Sequence, residues 1–135
     1  MTTQQNQLSA PPGWEGSLPE YLVYRSLTES FNKIEGVDFT YQSSLLGGRL
    51  FKGGVILDFL FNNPPDLAIN VQGEYYHYGM GVAVIQNEIL IRQQMAGDGI
   101  NLIFIDENDI LNDVDYYVRE ALNYKDHSRL GIGGR

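Results

Sequence analysis

The feature that most limits what this chain can become is a pair of apolar runs, each interrupted by polar residues. The first reads Gly53-Gly54-Val55-Ile56-Leu57-Asp58-Phe59-Leu60-Phe61, and the second reads Leu67-Ala68-Ile69-Asn70-Val71-Gln72-Gly73-Glu74. Both are rich in residues that suit strands, and Asn62-Asn63-Pro64-Pro65-Asp66 between them is a turn sequence. Asp58 stands between Leu57 and Phe59, where an ionised carboxylate is costly without a partner, a metal ion or water. In the second run, period two puts Asn70, Gln72 and Glu74 on one face and Ile69, Val71 and Gly73 on the other. An acid on one strand beside a row of polar groups on the next is a common way to build a cation site on a sheet.

Composition narrows the chemistry. At 135 residues the chain is most simply one domain, long enough to bury a sizeable core. With no cysteine, disulfides and cysteine-ligated zinc are excluded, and two histidines argue against a multi-histidine metal site. The balance of 9 basic against 17 acidic residues, a net charge of −8, speaks against a broad nucleic-acid surface and leaves room only for a local basic patch. No run approaches the roughly 20 apolar residues of a membrane span. The opening Met1-Thr2-Thr3-Gln4-Gln5-Asn6-Gln7 is neither basic nor followed by an apolar core. A soluble, cytoplasmic protein without a membrane partner is expected.

Taken in order, residues 1–16 read as an N-terminal arm, 17–124 as the folded domain and 125–135 as a flexible C-terminal tail. Within the arm, Trp14 either pins the segment to the domain or meets a partner. Ser17-Leu18-Pro19-Glu20 has the spacing of a capping box and opens a helix expected from about Leu18 to about Phe31. A strand over Val37–Gln42 and a turn or hairpin tip carrying Arg49 and Lys52 precede the two central runs, expected as strands Val55–Phe61 and Leu67–Gly73, the latter with an aromatic extension through Tyr78. A helix from Val82 to Met95 carries Glu88 and Arg92 at i, i+4, an arrangement that favours an ion pair on a solvated face. Gly97-Asp98-Gly99 ends it, Ile100–Ile105 suits an inner strand, Asp106–Asp109 form an acidic turn, and a last helix is expected from about Asn112 to Asn123. The order is α-β-β-β-α-β-α.

These residues carry a resemblance. The element order, Asp58 on the second strand and Asn70-x-Gln72-Gly73-Glu74…His77 on the third resemble the PD-(D/E)XK, or restriction-endonuclease-like, superfamily, in particular its small mismatch-repair-endonuclease-like branch. In that branch a strand of the type Glu-x-Asp-Gly precedes a His, an Arg-bearing helix, a Gly and an apolar strand. Here those positions read Asn70, Gln72, Gly73, His77, Arg92, Gly99 and Ile100–Ile105. The chain is also similar to short proteins of tailed phages. The resemblance implies an α/β fold with an αβββαβα three-layer core around a central four-stranded mixed sheet. It further implies DNA as partner and a Mg²⁺ or Mn²⁺ site that activates water for phosphodiester hydrolysis.

Carried over residue by residue, Asp58 and Glu74 become metal ligands, Asn70 and Gln72 site residues through their amides, Glu20 an auxiliary ligand, and Lys52 or Arg92 a stabiliser of phosphate charge. The pattern departs from active members in holding neutral amides at Asn70 and Gln72, where a carboxylate and, two residues on, usually a lysine are found elsewhere. Each of these residues also has a structural reading: Glu20 as a helix cap, Arg92 as the partner of Glu88, His77 packed among tyrosines, Asp106, Glu107 and Asp109 as caps of the last helix. The rival function is a nuclease-like fold without catalysis, serving as a binding or structural module in a phage particle or complex. The Tyr75-Tyr76-His77-Tyr78 run and the two arms would then contact a protein partner or a second copy.

Overall fold

The computed structural model describes residues 9–41, 49–50, 56–73 and 82–129, with the backbone alone at 49–50, 56 and 82–88. The first helix, α1 (Leu18–Arg25), begins as its sequence requires. Ser17 holds an extended backbone, its hydroxyl accepts from the Glu20 N–H at 3.2 Å, and Glu20 accepts from the Ser17 N–H at 3.3 Å. The helix runs on as a π-helical turn over Ser26–Ser30, with the Phe31 N–H donating to the Ser26 carbonyl. The extra residue in that turn aims both Ser26 and Leu27 inward, and the Ser26 hydroxyl donates to Asp115 at 2.6 Å.

Six short strands follow: β1 (Phe39–Tyr41), β2 (Arg49–Leu50), β3 (Ile56–Leu57), β4 (Phe59–Phe61), β5 (Leu67–Gln72) and, after helix α2 (Val82–Gly97), β6 (Asn101–Asp106). β2 and β3 pair as a separate antiparallel ribbon. The main sheet has the order β1-β4-β5-β6, antiparallel except for the parallel β5/β6 pair, which α2 connects as a crossover helix. The expected strand Val55–Phe61 is therefore divided at Asp58, which belongs to neither half. The first strand is shorter than expected, because Val37 and Asp38 lie in the turn that precedes it.

Alternation along the strands sorts the side chains onto two faces. Phe39, Tyr41, Phe59, Phe61, Leu67, Ile69, Val71, Ile103 and Ile105 form one core with Leu22, Val23 and Leu27 of the first helix and Ile110, Val118 and Ala121 of the last. Leu57, Ala68, Leu102 and Phe104 form a smaller second core with Met95 of α2. The last helix, α3 (Glu107–Leu122), starts well before the expected Asn112, so the acids Glu107 and Asp109 fill its first turn, where the helix dipole favours them. It kinks at Asp113 (φ −161°), whose carboxylate accepts from the Tyr116 N–H at 3.2 Å and caps the second segment. The expectation of a helix start near Asn112 corresponds to this internal cap.

The described residues of both flanks pack against the domain. Trp14 stacks on Tyr41 with ring centroids 4.9 Å apart and meets Tyr21 and Tyr24 at 5.2 Å each, which fixes residues 9–16 against the domain. Residues 125–129, expected as flexible, pack along the outer edge of β6. The Asp126 carboxylate accepts from the Phe104 N–H at 2.9 Å, filling a backbone donor on that edge, and Ser128 is buried. None of the helices among the described residues is long and apolar enough to cross a membrane.

Candidate functional site

The break at Asp58 has a local cause. The β4/β5 ladder ends at Phe59↔Ile69, and beyond it side chains replace backbone pairing. The Asp58 N–H donates to Oδ1 of Asn70 at 2.8 Å, and the Val71 N–H donates to Oδ2 of Asp58 at 2.8 Å. Each polar side chain satisfies a backbone donor of the facing segment, so the acid and the amide form a reciprocal clasp that closes the sheet where the chain passes from β3 into β4. An anionic acceptor makes the Val71 bond one of the stronger hydrogen-bond types.

Asn70 shares its sheet face with Ala68 and Gln72, as strict alternation along β5 predicts. In the parallel register Asn70 lies opposite Phe104 and Gln72 opposite Asp106. Gln72 and Asp106 are both buried, at 1% and 4% exposure, so the end of this face carries two adjacent polar side chains inside the protein. Oδ2 of Asp106 accepts from the Arg129 N–H at 3.0 Å, and the Arg129 guanidinium approaches the same oxygen at 3.8 Å. Although Asp106 stands at the N-cap position of α3, its side chain makes no cap hydrogen bond.

Arg92 reaches this face from α2, and its burial corrects the expectation that it lies on a solvated helix face; the side chain of Glu88, its expected partner, lies outside the described residues. It is 8% exposed, with its guanidinium 4.9 Å from the Phe104 ring centroid and 4.0 Å from the Asp126 carboxylate. Burial selects this arrangement, since the smaller core leaves room over Phe104 and Asp126 supplies the compensating charge. Asp126 is the residue that sequence reasoning passed over. Its signal was the Asp126-His127-Ser128 spacing, an Asx-type turn in which Oδ1 accepts from the Ser128 N–H at 2.9 Å and from its hydroxyl at 2.5 Å.

Glu20 lies elsewhere. Its carboxylate accepts from the Tyr41 hydroxyl at 2.5 Å as well as from Ser17, on the face that packs against α1 and α3 rather than beside Asn70 and Gln72. Lys52, Glu74, His77 and the Tyr75–Tyr78 run fall outside the described residues, as does the side chain of Glu88.

A hard divalent cation needs several oxygen ligands, and carboxylates supply most of the binding energy. At the clasp the described residues offer one carboxylate, with an oxygen engaged by Val71, and an amide whose oxygen accepts from Asp58 itself. Among the described residues no group of three His, Cys, Asp or Glu side chains is placed to hold a metal ion. The described part of that donor set falls short of the oxygen ligands a Mg²⁺ or Mn²⁺ ion takes, and Glu74, the other expected ligand, lies outside the described residues. What the clasp does chemically is tie the segment between β3 and β4 to β5 through two half-buried side chains, each accepting from a backbone N–H of the other strand. No protein-family model, curated protein or solved structure matches the chain.

Proposed function

We propose that the chain is a restriction-endonuclease-like domain that has exchanged catalysis for structure and works as a binding or assembly module, in a phage particle or a comparable complex. The order of helices and strands and the parallel crossover through α2 support the nuclease-like fold. The observation that carries the loss of catalysis is the clasp, in which Asp58 and Asn70 each serve the other's backbone. Two amides where active members hold ionisable groups agree with it, since Asn70 in place of a carboxylate removes a negative charge from a would-be cation site and Gln72 in place of a lysine removes the cation that would face the phosphate.

Titration calorimetry of Mg²⁺ and Mn²⁺ into the full chain, in low salt and without DNA, tests this reading. The expected result is no saturable heat, together with intact plasmid and oligonucleotide DNA after incubation with either metal. Light scattering on a size-exclusion column should then show a defined oligomer or a stable partner complex.

A second reading is a divergent metal-dependent DNA endonuclease, with Asp58 and Glu74 as ligands, Asn70 and Gln72 assisting and Lys52 or Arg92 near the phosphate. The alignment of Asn70 and Gln72 on one sheet face beside Asp58 favours it. Saturable Mn²⁺ binding that disappears in Asp58→Ala, with DNA cleavage lost alongside, would establish this reading over the first.

A further inference from the structure

On the opposite side of the sheet, where the arm meets the first helix, we propose a binding site for an organic cation of the alkylammonium or guanidinium type, lined by Trp14, Tyr21, Tyr24 and Tyr41 and flanked by Glu15 and Glu35. The inference stands apart from the nuclease-like reading, because none of these residues belongs to the clasp or to the α2 face.

The cavity has a volume of about 370 Å³, within the range of small-molecule sites, and its lining is aromatic apart from the two carboxylates, a glycine and a proline. The rings are fixed before any ligand arrives. Trp14 stacks on Tyr41 at 4.9 Å and donates its indole N–H to the Ser17 carbonyl at 3.2 Å. Tyr24 donates its hydroxyl to Glu35 at 2.7 Å and sets its ring nearly edge-on to Tyr41. Burial, and after it the bond to Glu35, pushes the Tyr24 hydroxyl up to about 12, so it remains a donor at any ordinary pH.

The arm also has a backbone requirement at this point. Gly16 sits at φ +133°, and a Cβ there would come within 2.2 Å of the Tyr41 hydroxyl oxygen and 2.6 Å of the Glu20 carboxylate. Only glycine lets the arm run close enough to lay Trp14 over Tyr41.

Chemistry chooses the ligand class. Aromatic faces attract cations whose hydration is weak, which favours alkylammonium and guanidinium over small inorganic ions. Glu15 and Glu35 add negative charge at the site, and a chain of net charge −8 repels anions. Outside the cavity, Tyr21 already meets one such group from its own chain, the Arg25 guanidinium, 5.8 Å from its ring centroid.

The chain has a single tryptophan, and it lies in this cavity, so its emission reports on the site alone. The full-length protein is titrated with choline, with N-acetylargininamide and with 3,3-dimethylbutan-1-ol, the uncharged analogue of choline. At least one of the two cations is expected to change the emission saturably and to bind about tenfold or more tightly than the neutral alcohol. Tighter binding of choline assigns the site to a free small molecule, and tighter binding of the arginine derivative assigns it to a side chain of a protein partner. Glu35→Gln, which keeps an acceptor for Tyr24, should weaken the cation severalfold and leave the alcohol unchanged. Equal affinity for cations and alcohol, no saturable response to either cation, or a Glu35→Gln variant that binds the cation as the wild type does would overturn the proposal.

Discussion

The two faces of the main sheet solve the same problem with different materials. Against α1 and α3 the sheet presents aromatic and aliphatic side chains only, and Phe39, Phe59, Leu67 and Ile69 are completely buried. Against α2 it presents Asn70, Gln72 and Asp106 beside a handful of apolar residues, with the buried Arg92 overhead. The first face is held by area removed from water, which tolerates any apolar residue of the right volume. The second is held by specific donors and acceptors, where the loss of one partner strands another in a dry environment. Stability on the α2 side therefore depends on identity rather than on volume, and this is where a site with chemistry would be kept or dismantled.

Substitutions can break that contrast. Phe59→Ala should have the largest effect, about 3–5 kcal/mol in urea unfolding, because it empties the centre of the apolar face between Tyr41 and Phe39. Phe59→Leu should recover much of the loss, as expected of a face governed by volume. On the polar side Asp126→Ala should cost about 2–3 kcal/mol, since it removes the acceptor of the Phe104 N–H and the counter-charge of Arg92. Here no apolar replacement should rescue.

Asp58→Ala and Asn70→Ala should each cost about 1–2 kcal/mol, and the double variant clearly less than their sum, because the two bonds close one clasp. Full additivity in that cycle would mean that the two side chains act independently.

The smallest effect belongs to the periphery, where the His127 hydrogen bond at 2.9 Å holds the Glu120 carboxyl below its ordinary value of 4.5. A depressed folded value means that the stabilisation is present above pH 4.5 and is lost as pH falls through the folded-state value. Carbonyl NMR should place the Glu120 midpoint below 4.5, and Glu120→Gln should flatten the acid limb of stability by removing the small increment present above that pH, with little change below the folded-state midpoint.

Much of this was legible in the sequence for physical reasons. Ser17 and Glu20 announced the first helix because a capping box is a local interaction. The alternation of Ile69 and Val71 against Asn70 and Gln72 fixed which residues of β5 face which layer, whereas the continuous apolar run of β6 carried no such signal. The division at Asp58 was not legible, because it depends on Asn70 reaching across from a strand twelve residues away. Arg92 was misplaced for the same kind of reason. Its i, i+4 relation to Glu88 is local, whereas the contacts that bury it come from Phe104 and Asp126, and no local pattern encodes them. Asp126 sat in a stretch whose polarity suggested solvent, and only the edge of β6 turned that polarity inward. The Trp14 arm lay between: one aromatic in a polar segment signalled attachment, and the four-ring site emerged only once Tyr41 had been brought alongside.

Asp58 accepts from the Val71 N–H, and the proposed loss of catalysis requires that it hold no metal ion as well. Thermal unfolding of the wild type and of Asp58→Ala, each with chelator and with millimolar Mn²⁺, tests it most directly. The expected result is a variant less stable by roughly 5 °C, by the same margin in both conditions, and a wild-type Tm indifferent to Mn²⁺. A wild-type Tm that rises saturably with Mn²⁺, with the rise absent in Asp58→Ala, would contradict it and return Asp58 to the role of a ligand.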